Sequence, residues 1–170
     1  MHCTQKLLKE IGTATLVETS ADTRGLGNWY VNILRIERKK CLLFTNEKTL
    51  YSFLIPNVKK SNIKNIVDEF LINMSFNLQA EGFDINVINK LMQEYHEIGF
   101  GKTASKQILG WMNQIAFEYE IRVQMKEGLG NVRIIEANKE INRSLRSILN
   151  GKEYFHPIEA LQQLISEDFQ

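Results

Sequence analysis

Cysteine and histidine are scarce in this chain, and their scarcity excludes several kinds of site. Of the 170 residues, two are cysteines and three are histidines. Neither Cys3 nor Cys41 belongs to a CxxC pair, so no disulfide framework is expected, and Cys41 lies in an apolar run typical of a buried thiol. The histidines have no spacing typical of a metal site. We therefore expect no metal and no cofactor.

Long apolar runs and an excess of charge are also missing. Apolar runs such as that around residues 53–55 are far shorter than the roughly 20 residues that span a bilayer, and the first residues lack the apolar core of a signal peptide. The 21 Lys+Arg and 20 Asp+Glu residues nearly cancel, so the net charge provides no overall attraction for nucleic acid or an anionic membrane. We predict a cytoplasmic protein without membrane binding.

Proline is rare, and no internal repeat or low-complexity stretch divides the chain. The two prolines, Pro56 and Pro157, do not head linkers. The hydrophobic fraction of 44% is that of an ordinary globular protein. These features predict a single compact domain, residues 1–170.

The first third of the chain contains three segments with the composition of β-strands. Residues 29–37, 41–45 and 49–55 are rich in Val, Ile, Leu, Phe, Tyr and Thr. The breaks between them are too short for a parallel crossover. They predict a three-stranded antiparallel meander over about 29–55.

After Pro56 the apolar residues recur with the helical period of 3.6. Asp84 and Ser105 are suitable N-caps for two of these helices. A short earlier helix over 4–11 has Thr4 as its N-cap and Gly12 as the residue that terminates it. Because strands precede most helices, the fold class is α+β, with the meander packed against the helices. The main helices are predicted at about 62–80, 85–96, 105–126, 133–149 and 157–166.

The helix predicted at 105–126 is apolar on more than one side. One face carries five apolar residues and a second side carries Trp111, Phe117 and Ile121. A helix of this kind is either central in the fold or covered by a partner. It favours a non-enzymatic interaction module whose partner is another protein or a second copy. The residues of the first face are Ile108, Met112, Ile115, Tyr119 and Val123.

Two groups of basic residues favour an alternative function, nucleic-acid binding. One group lies at the hairpin near 35–40, with three further lysines at 59, 60 and 64. The other forms a polar stripe on the helix predicted at 133–149. Such charges bind phosphates by displacing counterions, although lysines on helices and hairpins are ordinarily just solvated. The candidates are Arg35, Arg38, Lys39 and Lys40 in the first group, and Lys139, Arg143 and Arg146 in the second.

A second alternative is a small enzyme of unknown reaction. The string 99–103 ends like a phosphate-binding loop, but position 96 is His96 where that motif needs glycine, and the preceding segment reads as a helix. No GxSxG or Cys–His spacing indicates a nucleophile with a base. Polar and aromatic residues beside loops could still form a ligand pocket. Its candidate residues are Trp29, Asn32, Lys102, Thr103 and Asn113.

Several short segments resemble an uncharacterised family of small prokaryotic proteins, a domain of unknown function. The segments are residues 3–8, 28–32, 40–46 with 49–50, and 103–113. The resemblance covers roughly the first 120 residues and none of the segments is a catalytic signature. It implies one compact domain from a bacterium or archaeon, and no activity. The positions that match the family pattern include Trp29, Asn32, Thr49, Thr103, Gly110 and Asn113.

Overall fold

The computed structural model describes residues 1–12, 25–95, 98–147 and 154–168. Within these ranges the chain is an α+β protein with a mixed five-stranded sheet and a separate two-stranded ribbon. The strands are β1 (His2–Cys3), β2 (Trp29–Ile36), β3 (Lys39–Asn46), β4 (Ser52–Ile55), β5 (Gly101–Lys102), β6 (Arg146–Ser147) and β7 (Tyr154–Phe155). The helices are α1 (Gln5–Ile11), α2 (Lys60–Lys64), α3 (Ile66–Glu81), α4 (Ile85–Glu94), α5 (Lys106–Met125), α6 (Ile134–Ile141) and α7 (Pro157–Asp168).

The predicted antiparallel meander is present as β2, β3 and β4, paired in that order. The β2–β3 turn is tight, and Glu37 and Arg38 both have positive φ angles of 49° and 65°, as the twist of a two-residue hairpin requires. The expectation that the sheet has only three strands is wrong. β1 joins β2 in parallel and β5 joins β1 in parallel, giving the order β4-β3-β2-β1-β5.

The sheet separates two apolar cores. Along β2, Val31 and Ile33 face the core that contains α1, α3, α4 and α7, while Tyr30 and Ile36 face the core that contains α5 and α6. This alternation follows from the two-residue period of a strand. The predicted inner face of the helix at 105–126 is confirmed, because the five predicted residues are the buried residues of α5.

Two helix predictions need correction. The helix predicted at 62–80 is broken at Asn65 into α2 and α3. The helix predicted at 133–149 ends at Ile141, and Arg146 already belongs to a strand. Tertiary contacts explain this end, because the Asn142 side chain and the Arg146 guanidinium both turn inward to partners on other elements. The helical period of the sequence also places Ile148 on the apolar face of the helix predicted at 133–149, and this residue lies outside the described residues.

The edge strand β4 is closed by side chains of α6. The Asn138 Oδ1 accepts a hydrogen bond from the Leu54 backbone N–H at 3.2 Å. The Asn142 amide accepts from the Ser52 N–H and donates to the Ser52 carbonyl, both at 2.8 Å. These amides occupy positions that a neighbouring strand would take, so this edge is protected from pairing with another chain. The polar stretch 18–28, whose glycines, Ser20 and Asp22 are typical of a loop, lies partly outside the described residues, which omit 18–24.

Candidate functional site

A shallow groove lies between α1 and α2 next to the β2–β3 hairpin. The groove has a volume of about 670 Å³ and is lined by Gln5, Lys6, Lys9, Glu10 and Lys60. Lys6 and Lys9 fall near the groove because α1 buries Leu7 and turns its polar side outward. We use the name basic groove for this surface together with Arg35 and Lys40 of the hairpin, whose charges act on the Glu10 carboxylate.

Glu10 joins α1 to the hairpin. The Lys40 Nζ donates to both Glu10 carboxylate oxygens at 2.8 Å. This hydrogen bond, aided by the charges of Lys40, Arg35 and Lys6, lowers the pKa of Glu10. The Val58 N–H donates to the Lys40 carbonyl at 2.8 Å, which also fixes the start of α2 beside the hairpin. Three segments distant in sequence therefore bring their cations to one place.

The basic groove lies among segments with an excess of positive charge, although the whole chain is nearly neutral. Segments 5–11, 35–40 and 59–64 contain nine basic and two acidic residues, whereas the rest of the chain contains 12 basic and 18 acidic ones. One of the two acids, Glu37, accepts a hydrogen bond from the Leu129 N–H at 2.9 Å. The predicted residues Arg35, Arg38 and Lys39 are exposed, and Lys39 pairs with Ile36, so it lies on the α5 side of the sheet. The sequence reading missed Lys6 and Lys9, because only the fold places α1 beside the hairpin.

The second predicted basic group has a different environment. Arg146 is 2% exposed and donates to both carboxylate oxygens of Glu118 at 2.7 and 2.9 Å. Arg143 donates to both oxygens of Glu81 at 3.1 and 2.6 Å. The Glu81 bond raises the pKa of Arg143. Lys139 is half-buried on α6. The two arginines therefore hold α6 and β6 to α3 and α5.

Arg146 also packs against a tryptophan. The guanidinium carbon lies 5.4 Å from the centroid of the Trp111 ring, within the range of a cation–π contact. The Trp111 ring N–H donates to the Ser147 carbonyl at 3.0 Å. The ion pair, the ring contact and this hydrogen bond together fasten β6 to α5.

The predicted pocket residues are spread over both sides of the sheet. Trp29 is buried in the core that contains α1, α3, α4 and α7, where its ring N–H donates to the Tyr95 hydroxyl at 2.9 Å. Asn32 accepts a hydrogen bond from the Thr4 hydroxyl at 3.1 Å. Asn113 is exposed on α5, on the other side of the sheet from the Trp29 ring. The remaining two candidates, Lys102 and Thr103, are neighbours at β5, with Lys102 exposed and Thr103 half-buried.

Both cysteine thiols of the chain are buried. Burial raises the pKa of Cys3 to about 12, so this thiol is not in the thiolate form that nucleophilic chemistry requires. Burial also raises the pKa of Cys41.

Among the described residues, no group of three His, Cys, Asp or Glu side chains could hold a metal ion. No helix in the described ranges is long and apolar enough to cross a membrane.

The outward side of α5 carries an apolar stripe. Phe117, Ile121 and Met125 are 60%, 38% and 77% exposed, and they follow one another at intervals of four residues. Their neighbours on the same side of the helix are mostly uncharged. We call this surface the α5 outer face, and it comprises Gly110, Asn113, Gln114, Phe117, Ile121, Gln124 and Met125.

The mixed sheet with a helical layer on each side, one basic groove and one exposed apolar helix face define an α+β protein with two candidate binding surfaces. The chain belongs to the family described as a domain of unknown function (DUF6933), whose family model matches residues 1–160. The resemblance to an uncharacterised domain family is thereby confirmed, and the match extends beyond the first 120 residues. A search of curated proteins finds no match to this chain. A search of solved structures also finds none.

Proposed function

We propose that this protein is a non-enzymatic interaction module that binds a second copy of itself through the α5 outer face. The supporting observation is the exposure of Phe117, Ile121 and Met125 on a helix whose other face is buried against the sheet. Three large apolar side chains aligned over two turns form a continuous surface. Contiguous exposed apolar surface is typical of an interaction site, in contrast to scattered single residues.

The spacing on this face fits a helix as the partner. Gly110, Gln114, Phe117, Ile121 and Gln124 follow one another at alternating intervals of four and three residues. This interval pattern keeps one line of residues in contact with a second helix over several turns.

A second copy of α5 complements the same line when it packs antiparallel about a two-fold axis. With the axis near position 119, Phe117 of one copy meets Ile121 of the other. Gln114 of one copy meets Gln124 of the other, and both amides can donate and accept a hydrogen bond. A two-fold contact requires such self-complementarity, because each residue must fit a residue of its own surface. The line itself carries no charged residue, and the exposed acid nearest to it is Glu120, three residues after Phe117.

An exposed apolar pair on α3 provides a comparison. Ile72 and Phe76 are also more than half exposed and are four residues apart. Asp68, one turn earlier on the same side of α3, is exposed and charged. The apolar stretch on α3 is therefore one turn shorter than that on α5 and ends at a charged residue, so it offers a second copy less continuous apolar surface. The α3 pair is therefore a matched control for the α5 outer face.

Light scattering coupled to size-exclusion chromatography, over a range of protein concentrations, tests the proposal. The unmodified chain should form a dimer as concentration rises. Phe117→Ser with Ile121→Ser should remain monomeric, because each lost apolar contact removes about 1.5–3 kcal/mol of burial. Ile72→Ser with Phe76→Ser should dimerise like the unmodified chain. A chain that is monomeric at every concentration, or a dimer lost only in the α3 variant, would contradict the proposal.

A further inference from the structure

We propose that the basic groove is a second binding site, which takes the phosphate backbone of nucleic acid. The inference does not depend on dimerisation through α5. Leu7 places α1 against the core on one side of the sheet, whereas α5 packs on the other side. Substitutions can therefore remove binding at one surface without changing the other surface.

The geometry of the groove favours a polyanion. Lys6 and Lys9 of α1 and Lys60 of α2 line a concave surface of about 670 Å³, and Lys40 of the hairpin reaches it through its ion pair with Glu10. Of the cations that line or adjoin it, Lys40 is held by Glu10. Lys6, Lys9 and Lys60 are exposed beside it. Binding a phosphate backbone releases counterions from the nucleic acid, so several such lysines acting together give a salt-dependent affinity.

The surroundings of the groove argue against a membrane as the ligand. Within the described part of the chain, the large exposed apolar side chains belong to α3, α4, α5 and residues 145 and 154. None of them belongs to α1, α2 or the hairpin, so the groove lacks the apolar residues that enter the headgroup layer of a membrane. A concave surface also fits a rounded polyanion better than a flat bilayer.

The composition of the groove indicates which part of the nucleic acid is bound. Segments 5–11, 35–40 and 59–64 contain no aromatic residue on which an unpaired base could stack. Lysine and arginine contacts to phosphate position a protein on a duplex but do not read its sequence. The groove therefore binds duplexes without sequence preference, and it binds a single strand no more tightly than a duplex.

Fluorescence anisotropy with a labelled 20-base-pair DNA duplex, at several salt concentrations, tests the inference. The unmodified protein should bind at low salt and lose affinity steeply as salt rises. Lys6→Gln, Lys9→Gln and Lys60→Gln combined should weaken binding by about tenfold or more at low salt and reduce the salt slope by roughly 2 to 3, because each lost phosphate contact removes about 0.9 from it. Lys90→Gln, Lys106→Gln and Lys126→Gln combined, which change exposed lysines elsewhere, should leave the slope unchanged.

Four outcomes would overturn the inference. The first is an absence of duplex binding at every salt concentration, and the second is an equal loss of affinity in the control triple variant. The third is competition by polyglutamate or by phosphatidylserine vesicles as effective as that by unlabelled duplex, which would assign the groove to an acidic protein or to a membrane. The fourth is a single strand that binds tenfold more tightly than the duplex, which would require base contacts that the groove lacks. Circular dichroism of each variant verifies that it is folded.

Discussion

The two groups of basic residues in this protein lie in opposite environments. Around the basic groove, exposed cations outnumber the acids near them, and Glu10 forms an ion pair with Lys40. In the stretch 139–146, Arg143 and Arg146 each have both ends of the guanidinium bound by a carboxylate, from Glu81 and Glu118. The first group is available to an external anion, whereas the second has its anions within the fold.

The contrast between the two groups shows that the role of a basic residue depends on whether an acidic partner lies beside it within the fold. A buried arginine with a bidentate carboxylate holds secondary structure elements together, and its charge is not offered to solvent. Exposed lysines of like charge add almost nothing to stability, because water solvates them equally well in the unfolded chain. The two groups should therefore respond oppositely to substitution, one in stability and the other in binding.

The largest expected effect is the loss of stability on replacing Arg146. In Arg146→Met the side chain retains much of its bulk, but the Glu118 carboxylate loses both hydrogen bonds. We expect the free energy of unfolding to fall by about 3–5 kcal/mol, as is typical when one partner of a buried ion pair is removed. Urea unfolding followed by circular dichroism measures this change. Arg146→Lys, which retains the charge without the fork of donors, should give a smaller loss.

A fall below about 1 kcal/mol in Arg146→Met would contradict the assignment of this residue to the fold, because surface substitutions have effects of that size.

Replacement of Arg143 should have an intermediate effect. The Glu81 side chain is shielded from solvent, whereas Arg143 is 48% exposed. Arg143→Gln removes the charged donors, and water can reach part of the vacated space. We expect a loss of about 1–2 kcal/mol in the same urea experiment, in the range for an incompletely satisfied buried group. A loss of unfolding free energy as large as that of Arg146→Met would contradict this expectation, because it would show that water does not solvate the Glu81 carboxylate in the variant.

Replacing the groove lysines should change the free energy of unfolding less than replacing either arginine does. Lys6→Gln, Lys9→Gln and Lys60→Gln combined change exposed side chains of like charge. The free energy of unfolding should stay within about 0.5 kcal/mol of that of the unmodified protein. A large destabilisation would show that these lysines support the fold, and it would remove the contrast between the two basic groups.

The pH dependence due to Glu10 should be smaller still. The hydrogen bond from Lys40 lowers the pKa of Glu10 in the folded protein, so this pair stabilises the fold above the ordinary glutamate pKa of about 4.3 and ceases to do so as pH falls through the lowered value. The unmodified protein should exceed Glu10→Gln in stability near neutral pH, and the difference should vanish in acid. A difference that grows in acid would contradict this sign.

The parts of the fold that were predicted correctly are those with a clear local period. The strands of the meander and the inner face of α5 follow from apolar residues spaced by two and by 3.6 positions, and Ser105 caps α5 as expected by accepting from the Ile108 N–H at 3.2 Å. The strands β1 and β5 have two residues each, too few to show a period. Their parallel pairing joins segments about 100 positions apart, which no local pattern reveals.

The candidate site was predicted only in part, for a related reason. The hairpin cations 35–40 are adjacent in sequence and were recognised, whereas Lys6 and Lys9 join them through the tertiary contact between Glu10 and Lys40. The stretch 139–146 was predicted as an exposed helical stripe. Its helix ends at Ile141 and Arg146 points inward, because the ion pair with the partly buried Glu118 carboxylate on α5 outweighs the local helical preference.

The most direct test of the contrast is the salt dependence of duplex binding, measured side by side for the groove triple variant and for Arg143→Gln. Both remove positive charge from a group that the sequence presents as basic. The account predicts that the groove variant loses affinity and salt slope while Arg143→Gln retains both. A slope that falls in Arg143→Gln and is retained in the groove variant would contradict the account, and it would assign phosphate binding to the 139–146 stretch.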